Sequence, residues 1–387
     1  MPTSTRFSAQ PALPFDRDVL VCVFQRGAAD GLNALAPYSD PDYSQNRPNI
    51  ALAPPGQAGG GIYLSDDYAL HPALWPLKPI YDAGDLALIH ATGIPHHNRS
   101  HFSAQNLVER GISDTLGPKN GWLGRHLALS TPASDSAFRA IAISGNVPVT
   151  LHGKVEALAL DSLNDLGFAP NITKTGYPDL LDKLFRAEVP FAGPANAALR
   201  ALVELRKAKP TEIPPYNGAV YPDTTFATRL RQAGQLIKSD LPVEVICLDS
   251  EGWDHHESLP TYIDLSLAEL AGSLAAFYTD MGSAMARISV LIFSEFGRRV
   301  AENGSLGTDH GSASLAYLMG GGVNGGQVIS DWPGLDFANL DQGEDLRITT
   351  DLRSVIAELL NKRLGGTDVS RVFPGFGGVT DVNALLG

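Results

Sequence analysis

Residues 288–299 read ISVLIFSEFGRR, a near-continuous apolar run that ends abruptly on Glu295. A strand with one wet face alternates apolar and polar residues, whereas a strand covered on both faces does not. The run therefore predicts a parallel strand over Ile288–Ser294 with a carboxylate at its carboxyl end. Four other runs have the same character: Asp18–Gln25 (DVLVCVFQ), Leu86–Thr92 (LALIHAT), Phe138–Ser144 (FRAIAIS) and Pro242–Asp249 (PVEVICLD). Leu315–Gly320 and Gly326–Ser330 read as further short strands or as a hairpin around the glycines.

Helical spacing lies between these runs, at Ala195–Lys207 after Pro194, Thr224–Ser239, Tyr262–Arg287 and Asp351–Leu364. Thr350 is the predicted cap of the last, with Gly365-Gly366 as its stop. Strands separated by helices predict an α/β fold, a doubly wound and mostly parallel sheet with helices on both faces. No linker divides the chain. The reading is a tail over 1–16 and a single domain over 17–387, with insertions at 41–67 and 146–221. The first, containing APPGQAGGG, is too polar and flexible for core.

The chain has 387 residues, 44% hydrophobic and 18% charged, a globular composition. Its formal net charge of -13 argues against a nucleic-acid partner, because a phosphate backbone would be repelled. An anionic small-molecule or polymer-derived substrate stays open, since a local cation inverts the field inside a cleft. Cys22 and Cys247 each sit in an apolar run and read as packing thiols, with a disulfide the alternative. No run of 18 apolar residues occurs, so no transmembrane segment is expected. The first 16 residues lack a signal-peptide pattern and look like a Pro/Ala-rich mature N-terminus, from an exported or a cytoplasmic protein.

In open α/β sheets ligands bind beyond the carboxyl ends of the strands, which selects four loops. The first, RGAADGLN, offers Asp30, as a metal ligand or as a helix cap. The second is HHNRSH. His97 and His101 are candidate ligand and acid–base groups, Arg99 an anion clamp and Ser100 a nucleophile. The alternatives are a solvated turn, and for Ser100 the cap of a helix beginning at His101–Gln105. The third, SEGWDHH, offers Asp254, His255 and His256. Adjacent side chains seldom reach one site, so one of the two histidines is expected as a ligand and the other behind it. The fourth loop offers Glu295, then Asp309 and His310 in GTDHG, where Gly307 and Gly311 would let backbone approach a ligand. Imidazole with carboxylate suits zinc first, with manganese, magnesium, calcium, iron or copper as alternatives.

RGAADGLNALAPY, LHPALWPLKPIYDAGDLALIHATG, NRSHFSAQ, SEFGRRVAENGSLGTDHG and TTDLRSVIAELLNKRLG resemble the bacterial domain-of-unknown-function 1501 family. The resemblance runs from about Asp18 to Gly366. It implies export, commonly by a twin-arginine leader, to the periplasm or beyond. It also implies an architecture similar to the alkaline-phosphatase superfamily, whose sites join Asp, His and a hydroxyl nucleophile around one or two divalent metals. On that resemblance Asp30 matches the aspartate after the first strand and Ser100 the nucleophile. Asp254 with His255 or His256 matches the mid-chain pair, and Glu295 with Asp309-His310 the late cluster. The chain has no Cys-x-Pro-x-Arg segment, which disfavours formylglycine sulfatase chemistry. Three functions follow as expectations: a metal-dependent hydrolase or transferase on a phosphate or sulfate ester, a metal-dependent oxidoreductase using non-haem iron or copper, and an exported non-catalytic binding or assembly protein.

Overall fold

Ile288–Ser294 is a strand along its whole length, and every residue of it is buried. The computed structural model describes residues 17–132, 136–163, 201 and 203–386. Among these the strands are β1 (Val19–Gln25), β2 (Leu35–Ala36), β3 (Ile62–Tyr63), β4 (Ala69–Leu70), β5 (Leu86–Gly93), β6 (Ala140–Ala142), β7 (Leu158–Ala159), β8 (Val245–Ser250), β9 (Ile288–Ser294), β10 (Ser314–Gly320), β11 (Gln327–Ile329) and β12 (Thr350–Asp351). Nine form one sheet in the order β11-β5-β10-β9-β1-β8-β6-β7, with β12 beside β5. The fold is α/β with a large, mostly parallel sheet.

β1 lies at the centre, parallel to β8 and β9, with Cys22 opposite Cys247 and Phe24 opposite Phe293. Its side chains divide by the period of two. Val19, Val21 and Val23 join the core beneath the Thr225–Lys238 and Leu259–Met281 helices. Leu20, Cys22 and Phe24 join the opposite core, with Trp122 and Leu127 of one helix and Val355 and Leu359 of another. Covering both faces in this way stabilises the chain by about 2 kcal/mol for each large apolar side chain removed from water. It is also why the runs carry no alternation.

Several expectations are corrected. β10 is antiparallel to both of its neighbours, β5 and β9, so it alone opposes the other eight strands of this sheet. It makes no hairpin with β11, which pairs parallel to β5. The Phe138–Ser144 run is extended only at Ala140–Ala142 and enters through a short 3-10 turn. The Tyr262–Arg287 helix starts at Leu259, stops at Met281 and continues as a 3-10 turn over Gly282–Arg287. Asp351 caps the last long helix, its carboxylate accepting from Arg353 N, while Thr350 is extended beside β5. The stretch 41–67 is exposed over Gly56–Gly59, as expected, but is not polar throughout. It forms a helix at Pro41–Asn46, buries Tyr43 and Arg47, and supplies β3 to a small sheet ordered β2-β4-β3. Most of the expected Ala195–Lys207 helix lies outside the described residues, although 203–208 are helical.

Because β1, β5, β8 and β9 point the same way, their carboxyl ends share one edge. The loops after them begin at Arg26, Ile94, Glu251 and Glu295. β10 starts at that edge, so the segment before it, Gly307–Ala313, arrives there too.

Candidate metal centre

His101 is the first residue of the His101–Arg110 helix, which buries Ala104, Leu107 and Val108 at helical spacing. Its Nδ1 lies 2.7 Å from Glu295 Oε1. A buried carboxylate there accepts the Nδ1 proton and leaves Nε2 with a lone pair. That Nε2 is buried, makes no hydrogen bond, and sits 3.4 Å from Asp254 Oδ2.

His310 is oriented in the same manner by a different group. Its Nδ1 lies 2.8 Å from the Arg99 carbonyl, which can only accept, so Nε2 again holds the lone pair, 3.2 Å from Asp254 Oδ1. His256 completes the pattern. Its Nδ1 is 3.2 Å from Asp309 Oδ1, and its Nε2 is 3.0 Å from Asp254 Oδ1 and 2.9 Å from His310 Nε2. Ligand atoms of His101, Asp254 and His310 all lie within 4.8 Å of one another. Two imidazole lone pairs facing at this distance repel unless a proton or a cation stands between them.

Arg298, fully buried, fastens this arrangement. It donates to the carbonyls of Gly27, Ala28, Trp253 and Thr308, and Nη2 reaches Asp254 Oδ1 at 2.6 Å. Burial alone would raise the Asp254 carboxyl, but the hydrogen bond and charge of Arg298 outweigh it and hold the group at about 2. Asp254 is therefore a carboxylate at neutral pH. Burial lowers His310 and so favours its neutral ring. Burial also opposes ionisation of Asp309, yet Asn303 and His256 bring its carboxyl below the usual range. Asp254 and His256 remain 47% and 42% exposed, so one side of the cluster opens to solvent.

The structure gathers His101, Asp254, His256 and His310, and places the other candidates elsewhere. Asp30 caps the Gly31–Ala34 helix through Asn33 N and pairs with the buried Arg47 at 2.8 and 2.9 Å. Glu295 stands behind His101, where Oε1 also accepts from Gln105 Nε2 and Gly27 N, each at 3.0 Å. Asp309 stands behind His256. His255 turns inward, its ring parallel to that of Tyr262 and 3.4 Å from Ser266 Oγ. His97 is exposed and meets Gln342 at 3.1 Å. Arg99 is paired with Asp345 and donates to Ser312 Oγ at 3.0 Å. Ser100 is the helix N-cap, exposed, with no side-chain capping bond.

Gly307 and Gly311 bring backbone against backbone. A Cβ at Gly307 would fall 2.1 Å from the His256 carbonyl carbon, and one at Gly311 2.3 Å from that of Arg298. Arg298 and Gln105 were missed by sequence reasoning. Arg298 lies within the quoted SEFGRR, but nothing in its residue type separates a buried clamp from a surface cation.

Two crystal structures of the C-terminal periplasmic domain of EcEptC from Escherichia coli are similar to this chain at 11% identity. One matches 95% of this chain and 91% of its own with a TM-score of 0.39. The other, a complex with Zn, matches 96% and 93% with a TM-score of 0.42. Comparison with curated proteins gives no match. Residues 85–377, which include every member of the His101–Asp254–His256–His310 cluster, match the family model for a Protein of unknown function (DUF1501). The chain belongs to the DUF1501 family.

Proposed function

We propose that the chain holds a divalent transition-metal ion at His101, Asp254, His256 and His310 and uses it to hydrolyse or transfer a phosphate or sulfate ester. The observation that carries this reading is the ring geometry: three rings each meet an acceptor from behind at Nδ1, which leaves all three Nε2 atoms turned to the Asp254 carboxylate. Neighbouring donor atoms stand 2.9 to 3.4 Å apart. A tetrahedron with ligand bonds of roughly 2.0–2.1 Å has edges of roughly 3.3 Å, which the three pairs with Asp254 and the His256–His310 pair approach. Three nitrogens and one oxygen suit zinc and its transition-metal neighbours, while magnesium and calcium prefer oxygen shells. The reading carries with it the alkaline-phosphatase-like architecture and the export that the family resemblance implies.

A bound divalent ion supplies Lewis acidity, polarising the ester and making a nearby hydroxyl or water more acidic. Arg298 keeps the Asp254 carboxylate ionised and in place, and Glu295 fixes the His101 ring. Ser100 presents an uncommitted hydroxyl one residue before His101, at a helix N-terminus where backbone N–H groups favour an anion. In the transfer reaction Ser100 Oγ forms the new bond to phosphorus or sulfur and gives up its proton, and the alcohol leaves carrying one. In direct hydrolysis water takes that place. Arg99 contributes less than its residue type suggests, because Asp345 already neutralises it.

Elemental analysis of protein purified without immobilised metal tests the reading. We expect about one equivalent of a zinc-like ion, lost in His310→Ala and His256→Ala, with turnover of aryl phosphates or sulfates that depends on it. Ser100→Ala should keep the ion and lose two or more powers of ten in rate if Ser100 attacks. Wild-type protein without stoichiometric metal overturns the site. Redox-active iron or copper without ester turnover moves the protein to the oxidoreductase class.

A further inference from the structure

Leu306 is a bulky residue held at φ +57, a left-handed conformation that glycine or asparagine adopts more cheaply, and it is 47% exposed. The turn that carries it is pinned to the centre. Asn303 Nδ2 donates to the His256 carbonyl at 2.8 Å and lies 3.3 Å from Asp309 Oδ1, and Asn303 Oδ1 accepts from Gly307 N at 3.1 Å. The Leu306 carbonyl accepts from Leu259 N at 2.8 Å, which sets the leucine at the first turn of the Leu259–Met281 helix. That turn exposes Tyr262 (50%) and, three residues on, Leu265 (66%). Residues three apart on a helix share a face. The Tyr262 ring lies parallel to that of His255, at 9° and 6.5 Å, and His255 is flanked in sequence by Asp254 and His256. Leu306, Tyr262 and Leu265 are thus three exposed large apolar side chains on segments joined to the loop that carries Asp254 and His256.

Single exposed leucines are ordinary. A strained one, tied through Asn303 to His256 of the cluster and to Asp309 behind it, and leading onto two more exposed apolar side chains, forms an apolar shelf beside the centre. We propose that this shelf seats the apolar alcohol portion of the ester, so that the substrate is an amphiphile with an anionic head at the centre and a hydrocarbon or aryl group along Leu306, Tyr262 and Leu265. The inference rests on the proposed function and names the substrate class for that site. The contacts are non-directional, so they select for apolar length rather than for a particular group.

The test is calorimetric binding of methyl, butyl and octyl phosphate, below micellar concentration, to the wild-type protein and to a Leu306→Gly/Tyr262→Ala/Leu265→Ala variant. Metal content is measured on both. All three positions are about half exposed or more, and glycine suits the backbone at 306, so the variant should fold. An open shelf should return about twofold in affinity per added methylene, half the free energy of full burial, hence roughly fifteenfold from butyl to octyl. The variant should lose that gradient while keeping its metal and its affinity for methyl phosphate. A flat series in wild-type protein that retains metal overturns the shelf and leaves the centre standing. A gradient that survives in the variant places the apolar contact elsewhere and also overturns it. Dimeric wild-type protein with a monomeric variant would assign the shelf to a second copy of the chain. Absence of metal and of methyl phosphate binding removes the centre and the shelf with it.

Discussion

At the scale of single residues, the decisive distinction is between a carboxylate that faces the cluster and one that holds something else. Asp30, Asp254, Glu295 and Asp309 all stand at strand-end loops, and the sequence offers each as a ligand. Residue type cannot separate them, because the partner of each lies far along the chain: Arg47 for Asp30, His101 for Glu295, His256 for Asp309. Nor could the sequence choose between His255 and His256. The structure separates them: His255 turns inward against Tyr262, while His256 Nε2 stands 3.0 Å from Asp254 Oδ1. Asp30 gives a clear test. Its carboxylate opposes a guanidinium that is fully buried, so Asp30→Asn should cost about 3–5 kcal/mol in urea denaturation. The metal content of the folded variant should be unchanged. Loss of metal with little loss of stability would instead make Asp30 a ligand.

At the scale of elements, what was legible was whatever burial writes into composition. The strands β1, β5, β8 and β9 are apolar throughout because both faces are covered, and their bounds fall within a few residues of the runs that announced them. The direction of β10 was not legible, since an apolar run reads alike whichever way it points. The Gly-rich run within 41–67 is exposed as read, but its glycines hid Tyr43 and Arg47 ahead of it, both buried. Contacts between loops also escape a sequence reading, and here they matter most. The Arg298–His310 bridge brings the strand-end loop against the segment before β10 with no room for a side chain at Gly311. Gly311→Ala should therefore displace His310, weaken metal binding at least tenfold and cost about 1–3 kcal/mol. Gly304→Ala, with nothing within 4 Å of the added carbon, is the control and should leave metal binding as it was. Equal affinity in the two variants would show that the bridge does not position the histidine.

At the scale of the whole molecule, acid sensitivity should come first from histidines that lie apart from the cluster. His90 is fully buried, with Nε2 3.0 Å from the Leu35 carbonyl and Nδ1 accepting from Ala91 N at 2.8 Å, a pattern that only the neutral ring satisfies. Burial pushes it down to about 4, and burial with the nearby Arg139 does the same to His126. Between about pH 6.5 and 4 the unfolded chain binds these protons and the folded chain does not. Their contribution is complete above pH 6.5 and declines as pH falls to 4, by on the order of 3 kcal/mol for each ring across the window. Urea midpoints should fall steadily over that range, and His90→Gln should flatten the slope. A midpoint constant from pH 7 to 4.5 would contradict this. The antiparallel strand has a consequence for how the molecule is made. β5 cannot be joined to β9 until β10 slides between them, and β10 is synthesised after both. Domains form progressively as the chain emerges, N-terminal parts first. His101 follows β5 and Asp254 and His256 follow β8, on opposite sides of that gap, and His310 arrives with the strand that closes it. The four side chains thus come together only in a finished chain, and a truncated or half-folded one presents an incomplete set.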